Sequence, residues 1–223
     1  MHSHLIPGID DGAKTVEESV ALIKQLVELG YSKIITTPHI MQEYYPNTPA
    51  IIQEGLERLR AALKAEGVEV EIEAAAEYYA DDYFEQLINS GNLLSFADQH
   101  ILIEFSTLAA PNNALEVIFQ LKTKGYKVIL AHPERYTYYA DRWEWFEKIH
   151  SLECKLQVNL LSLAGHYGPQ QKKLGIKLLK NGLVDLLGTD LHHQHHLNKI
   201  KGLLKDRSIQ KLIRQKAFYN SKL

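Results

Sequence analysis

The chain has one cysteine, almost no net charge and no long apolar run. A single thiol, Cys154, cannot form an internal disulfide and suits a reducing cytoplasm, the expected compartment. Lys and Arg number 25 against 27 Asp and Glu, a net charge of −2. This balance provides neither the basic field that nucleic acid requires nor an acidic tail. No apolar stretch approaches the roughly 20 residues of a membrane span, and no signal peptide precedes the first histidine, so membrane insertion is not expected. No linker, low-complexity tract or shift in composition divides the sequence. The 223 residues, 45% hydrophobic and 23% charged, can bury a full core, and residues 1–223 read as a single domain.

What is present is a serial pattern. Strand-type apolar runs recur about every 30 residues, the size of one strand-plus-helix unit: Lys33–Thr37, Val68–Ala76, Ile101–Ile103, Tyr126–Ala131, Leu156–Val158 and Leu183–Leu187. His2–Leu5 would be a first strand. Helical spacing fills the gaps at Thr15–Leu29, Pro49–Glu66, Ala114–Lys124, Arg142–Leu152, Pro169–Lys180 and Asn198–Leu204. Thr15-Val16-Glu17-Glu18 reads as a capping box, and Gly30, Gly67, Gly125 and Gly182 stand where left-handed helix caps are expected. Alternation of this kind implies an α/β fold with a parallel sheet, either open and doubly wound or closed as a barrel. Two features favour the barrel. Seven strand candidates approach the eight of a full (β/α) barrel, and chemistry-bearing residues recur on nearly every strand rather than at one switch point.

Those residues are metal-ligand types, eleven histidines among them. His2 and His4 are two apart, so on an extended segment both imidazoles face one way. His-x-His alone is weak and could be a tag remnant, but Leu5-Ile6-Pro7-Gly8-Ile9-Asp10-Asp11-Gly12 continues as an apolar stretch and a turn with two carboxylates. In Thr37-Pro38-His39 the proline stops regular pairing, which places His39 in a loop. Glu77 follows Ile72–Ala76, and Glu104 follows Ile101–Ile103; a carboxylate that continues an apolar strand is costly to bury unless paired or metal-bound. Ala131-His132-Pro133-Glu134-Arg135 repeats the strand, histidine, proline order and adds an arginine, and Thr189-Asp190-Leu191-His192 closes the series. Each member has a bland alternative as an exposed strand-end residue, but six such coincidences multiply poorly. One end of a barrel could collect the whole set, as a polynuclear metal site requires.

Other candidates weigh less. His193, His195 and His196 read as solvated histidines at the start of a helix, while His100, His150 and His166 are isolated and read as structural or exposed. Tyr44 and Tyr45 could wall a substrate pocket, although twelve tyrosines make packing roles common. Around Cys154 there is no arginine placed to cradle phosphate, so a cysteine-dependent phosphatase is not expected.

His2–Gly12, Thr37-Pro38-His39, Leu102-Ile103-Glu104-Phe105, Ala131–Arg135 and Thr189–His192 together resemble, in order and over essentially the whole chain, the polymerase-and-histidinol-phosphatase (PHP) superfamily. The closer likeness is to its bacterial protein-tyrosine phosphatase branch, associated with capsule and exopolysaccharide genes. One departure is that members usually carry a few apolar residues ahead of the first histidine, where this chain has only Met1, so its first strand is expected to be clipped. The resemblance implies a distorted seven-stranded (β/α) TIM-like barrel of PHP type holding three divalent transition metals. By that carry-over His2, His4, Glu77 and Asp190 hold the first metal. Glu77 bridges to a second, shared with Glu104 and His132, and Asp11, His39 and His192 hold the third. Asp11 is preferred to Asp10 because it directly precedes Gly12. Mixed nitrogen and oxygen ligands suit manganese, iron or zinc rather than calcium, with manganese the first choice.

The activity so implied is hydrolysis of phosphotyrosine in proteins, the partner being a bacterial tyrosine kinase of capsule or exopolysaccharide synthesis. Three divalent ions against four carboxylates leave roughly +2, or about +1 with a bridging hydroxide; Arg135 restores about +2, matching a phosphate monoester dianion. In-line attack by that hydroxide would be aided by Arg135 on the equatorial oxygens. A small-molecule phosphate such as histidinol phosphate is the alternative substrate. A catalytically silent metal-binding regulatory module is the alternative from another class.

Overall fold

The computed structural model describes residues 1–223. Every pair of strands in it runs parallel. Regular pairing divides into a two-stranded sheet, β1 (Lys33–Thr36) with β3 (Glu71–Ala74), and a six-stranded sheet. The latter runs β2 (His39–Ile40), β4 (Glu77–Tyr79), β5 (His100–Glu104), β6 (Lys127–Ala131), β7 (Lys155–Asn159), β8 (Leu186–Gly188). Helices follow the strands: α1 (Val16–Glu28), α2 (Pro49–Ala65), α3 (Asp82–Ser90), α4 (Ala114–Thr123), α5 (Trp143–Ser151), α6 (Leu160–Leu163), α7 (Pro169–Lys180), α8 (Gln194–Leu203) and α9 (Arg207–Arg214). No helix is long and apolar enough to cross a membrane.

The two sheets are consecutive parts of the same two chain segments. β1 and β2 are separated only by Thr37 and Pro38, and β3 and β4 only by Ala75 and Ala76. Pro38 has no N–H to give to a ladder, but its carbonyl accepts from the Glu77 N–H at 3.0 Å, and pairing resumes with His39 opposite Glu77. The expectation that proline leaves His39 in a loop is therefore corrected: it begins a short strand. The segment at His2–Leu5 is likewise not a regular strand. It forms one parallel bridge, Ser3 with Leu191, while the Thr37 N–H donates to the Ser3 carbonyl at 2.7 Å and the His4 N–H to the Leu191 carbonyl at 2.8 Å. It thus lies between the chain following β8 and the end of β1.

Most strands are buried on both faces, which explains their continuous apolar runs. Ile101, Ile103, Val128, Leu130, Leu156 and Val158 belong to the main core shared with the helices. The intervening Leu102, Ile129 and Ala131 join Ile35, Ala75, Phe96 and Leu186 in a separate cluster on the opposite face. Capping signals worked locally, with one difference. The Thr15 hydroxyl accepts from the Glu18 N–H, but Glu18 takes the Lys14 N–H rather than closing a reciprocal box. Gly30, Gly67, Gly125 and Gly182 all have positive φ. The helix expected at Asn198–Leu204 begins earlier, at Gln194, and α3, α6 and α9 are additions to the expected set.

Candidate metal centre

The carboxyl ends of the strands converge on one cavity of about 1040 Å3. Four sequence-separated residues, His2, His4, Glu77 and Asp190, each offer a ligand atom within 4.8 Å of the others, and all four are buried. The same spacing holds for His4, Asp11, His39 and His192, and for His39, Glu77 and Glu104. His132 completes the set, its Nε2 standing 3.0 Å from Glu77 Oε1 and 3.6 Å from Glu104 Oε2. All nine candidate residues therefore meet. One detail differs from the expected grouping: the imidazole of His39 stands between two groups. Its Nδ1 lies 2.9 Å from Glu104 Oε1 and 3.4 Å from Glu77 Oε2, and its Nε2 lies 3.6 Å from Asp11 Oδ1. The β2–β4 register, which sets His39 opposite Glu77, is the cause.

Backbone geometry brings several of these side chains inward. His2, His132 and Asp190 have φ of 62°, 35° and 49°, a region that side-chain-bearing residues adopt rarely and at some cost. Each sits where a strand-like segment turns into the cavity. Gly12 has the opposite role, being the close approach that lets the Asp10–Asp11 turn reach the site. A Cβ there would lie 2.5 Å from the His4 Cβ and closer still to the His4 carbonyl oxygen. Gly12→Ala is expected to displace the turn and to lower thermal stability by about 1–3 kcal/mol, with metal content falling as well. Thermal unfolding and elemental analysis of the variant would check both.

Hydrogen bonds around the nine residues decide which imidazole nitrogen is free. The Asp190 carboxylate only accepts, so Asn159 must present Nδ2 to its Oδ2, at 2.6 Å. The Asn159 oxygen then faces Gln157 Nε2 at 2.7 Å, which leaves Gln157 Oε1 to accept from His2 Nδ1 at 2.5 Å. His2 Nε2 is left facing Glu77 and Asp190. Asp10 holds His4 in the same way through Nδ1 at 2.7 Å, and the Asp190 carbonyl accepts from His192 Nδ1 at 2.9 Å. Three imidazoles are thereby held with Nε2 available, as metal ligands require. His4 Nε2 and His132 Nδ1 are buried without a hydrogen-bond partner, and so are His39 Nδ1 and Glu104 Oε1, which stand 2.9 Å apart without hydrogen-bond geometry. A buried polar atom left unpaired is costly, and a bound cation would satisfy those that face the cavity.

Electrostatics support the same fit. Burial opposes charge on both Glu77 and Asp190, yet the facing His2 imidazole, with further imidazoles behind it, holds both well below the usual carboxylate range. Burial likewise opposes charge on His2 and His39, but Glu77 and Asp190 push His2 up to about 10 and Glu104 pushes His39 up to about 9. The anionic oxygens thus draw positive charge into the cluster, and divalent ions would take the place of those protons. The residues present fit a polynuclear cation site of mixed nitrogen and oxygen ligands.

Around the site, Arg135 lines the cavity with its Nη1 3.7 Å from Asp190 Oδ2 and its guanidinium over the Tyr167 ring at 4.5 Å. Glu134, its neighbour, is turned away into the core, where one oxygen accepts from the Asn159 N–H and the Ser162 hydroxyl. Tyr45 stacks on His39 at 5.4 Å, and Tyr44 is 70% exposed at the cavity rim. His196 is a correction: it is buried, with Nδ1 3.2 Å from the Asp190 carbonyl, because α8 starts early enough to turn it inward. His193 and His195 are exposed as expected. His100 is buried against Phe96 and Tyr219, and His150 faces Asp185 at 3.3 Å. Asp10, Gln157, Asn159 and Tyr167 were not anticipated as supports. Asp10 stood beside a chosen ligand, whereas nothing local distinguishes the other three.

Cys154 is fully buried just before β7, whose far end, Asn159, reaches the centre. Five residues of strand put the thiol roughly 17 Å away. Burial pushes it up to about 12, so it has no nucleophilic character near neutrality. Cys154→Ser should keep turnover within about two-fold while losing about 1–3 kcal/mol of stability from the buried hydroxyl. Steady-state kinetics beside thermal unfolding would check this, and an abolished turnover in a folded variant would implicate the thiol.

Comparison with known proteins extends these observations. Residues 1–216 match the family model for capsular polysaccharide synthesis, CpsB/CapC. The tyrosine-protein phosphatase YwqE of Bacillus subtilis (strain 168) is 30% identical over 194 residues, which cover 86% of this chain and 76% of YwqE. A chain from the crystal structures of YwqE from Bacillus subtilis and CpsB from Streptococcus pneumoniae, described as unique metal-dependent tyrosine phosphatases, superposes with a TM-score of 0.82 at 26% identity. That match covers 97% of this chain and 94% of the other. A histidinol phosphate phosphatase from Lactococcus lactis, solved with zinc, L-histidinol and phosphate, shares the fold at a TM-score of 0.57 and 15% identity, with 92% of each chain covered.

Proposed function

The chain belongs to the CpsB/CapC family of capsular polysaccharide synthesis proteins, and on that footing we propose that it is a metal-dependent phosphotyrosine-protein phosphatase. Its proposed partner is a tyrosine kinase of capsule or exopolysaccharide synthesis, and its proposed compartment the cytoplasm. The observation that carries the reading is the convergence of nine imidazole and carboxylate side chains on one cavity with Arg135 at its edge. His2, His4, Glu77 and Asp190 would hold one divalent ion; Glu77, Glu104 and His132 a second; Asp11, His39 and His192 a third. Manganese is the first choice, with iron or zinc as alternatives. The barrel is part of the same reading. In it β1–β2 and β3–β4 would each be one stave and His2–Leu5 the seventh, a reading supported by its backbone hydrogen bonds to Asp190 and Leu191, after β8, and to Thr37, after β1.

When bound, the divalent ions supply Lewis acidity and lower the pKa of water, the two things hydrolysis of a phosphate monoester requires. The chain's own residues do the rest. Arg135 donates to phosphate oxygens and stabilises the charge that spreads over them as the ester bond breaks. Tyr44, Tyr45 and Tyr79, which line the cavity, offer aromatic surface to the tyrosine ring. A tyrosinate leaving group, with a pKa of about 10, departs with less protonation than an alkoxide, so no general acid is assigned. The cavity is at the upper end of the roughly 300–1,000 Å3 common for small-ligand pockets, and Leu108 at its rim is 93% exposed. A tyrosine carried on a polypeptide suits such a mouth better than a free metabolite.

Steady-state kinetics on a phosphotyrosine peptide beside histidinol phosphate, with metal measured on the same sample, tests the reading. The peptide should be preferred, and a chelator should abolish turnover. Preference for histidinol phosphate would move the substrate class to small molecules. A metal-replete protein that hydrolyses neither would be a silent regulatory module.

A further inference from the structure

Tyr167 occupies a position between the two charged groups that matter most at the cavity edge. Its hydroxyl donates to Asp190 Oδ2 at 2.8 Å, and its ring lies under the Arg135 guanidinium at 4.5 Å. The other Asp190 oxygen, Oδ1, faces His2, His4 and His192. Asp190 Oδ2 already accepts from Asn159 Nδ2 at 2.6 Å. With Tyr167 it has two donors, which fill the two lone pairs of a carboxylate oxygen. Arg135 Nη1 stands 3.7 Å from that same oxygen, too far for a direct hydrogen bond. Guanidinium and carboxylate so close would ordinarily collapse into a charge-assisted pair, and here the place is taken.

We propose that Tyr167 is a positioning residue that keeps Arg135 free for the substrate phosphate by occupying the Asp190 oxygen that would otherwise capture it. The ring contributes by holding the guanidinium plane over the cavity edge, where its donors stay uncommitted. Gly165 and Gly168, with φ of 79° and 114°, bracket the turn after α6 and present Tyr167 in this position. The inference rests on the phosphatase reading, because it needs a phosphate for Arg135 to meet.

Tyr167→Phe tests it, since the half-buried ring is retained and only the hydroxyl is lost. Calorimetric titration of inorganic phosphate into the metal-loaded variant should give roughly ten-fold weaker binding than wild type. KM for a phosphotyrosine peptide should rise by a similar factor and metal content stay unchanged. Adding Arg135→Ala should cost much less in the Tyr167→Phe background than in the wild type, because the arginine is already sequestered. Wild-type phosphate affinity in Tyr167→Phe, or an Arg135→Ala loss equal in both backgrounds, would overturn the inference and leave the phosphatase reading intact. Loss of metal from Tyr167→Phe would also overturn it, making Tyr167 a support for Asp190 alone. A wild-type protein that neither binds phosphate nor hydrolyses the peptide would remove both.

Discussion

Glu77→Ala is expected to lose at least two bound metal ions per chain together with nearly all turnover. Glu77 is fully buried at the centre of the cluster, with Oε2 3.1 Å from His2, 3.3 Å from His4 and 3.4 Å from His39, and Oε1 3.0 Å from His132. No other carboxylate faces so many of the imidazoles, so its removal empties the shared side of two proposed sites at once. Four neighbouring imidazoles would then lose an anionic partner. Lewis-acid stabilisation is worth several kcal/mol, so turnover on a phosphotyrosine peptide should fall by roughly a thousand-fold or more. Elemental analysis after growth and assay with manganese should show two to three ions in the wild type and at most one in the variant. His193→Ala, an exposed change beside the cluster, should keep the full complement. A Glu77→Ala protein with wild-type metal content would sink the bridging assignment.

Arg135→Ala is the second large effect, and it should separate chemistry from metal binding. The guanidinium touches none of the nine candidate ligands at hydrogen-bonding distance, and its side chain is 28% exposed toward the cavity. Removing one donor aimed at developing charge typically costs about 2.7–4 kcal/mol, or roughly a hundred- to thousand-fold in turnover. Pairing with Glu134 would have made the arginine scaffold, but Glu134 is committed to Asn159 and Ser162 in the core. The variant should therefore keep its metals and its unfolding temperature while losing most of its rate. Arg135→Lys should rescue only in part, since an ammonium lacks the planar fork that reaches two phosphate oxygens. Unchanged turnover in Arg135→Ala would leave the phosphatase reading to the metals alone.

Much of the fold was legible because its signals are local. Apolar runs marked β1, β3, β5, β6, β7 and β8, since strands buried on both faces carry little else. Helix periodicity with Thr15, Pro49 and the left-handed glycines bounded α1 and α2 closely. Missed α3 had readable ends, with Asp81 accepting from the Phe84 N–H and Gly91 at φ 74°, but its nine residues bury only Phe84 and Ile88 and leave little periodicity. The short strands β2 and β4 were hidden because two or three residues of pairing exist only when the partner strand is already in place.

For the site, the sequence alone named the nine candidates: carboxylates and histidines that end apolar strands are costly unless something compensates them, and the family resemblance of the motifs completed the set, Asp11 over Asp10 included. Order along the chain, and the likeness those motifs carry, were enough to name Arg135 as well. Tertiary structure alone decided how the set is arranged. It places His39 between two groups through the β2–β4 register, and it turns His2, His132 and Asp190 inward at positive φ. It also decides which nitrogen of His2 is free, through Gln157, Asn159 and Asp190, residues far from it in sequence. Tyr167 belongs to the same class: nothing in its local sequence distinguishes it from the other tyrosines. Strand ends, caps and charge burial are properties of neighbouring residues, whereas tautomer, hydrogen-bond saturation and the freedom of an arginine depend on contacts that form only when distant segments meet.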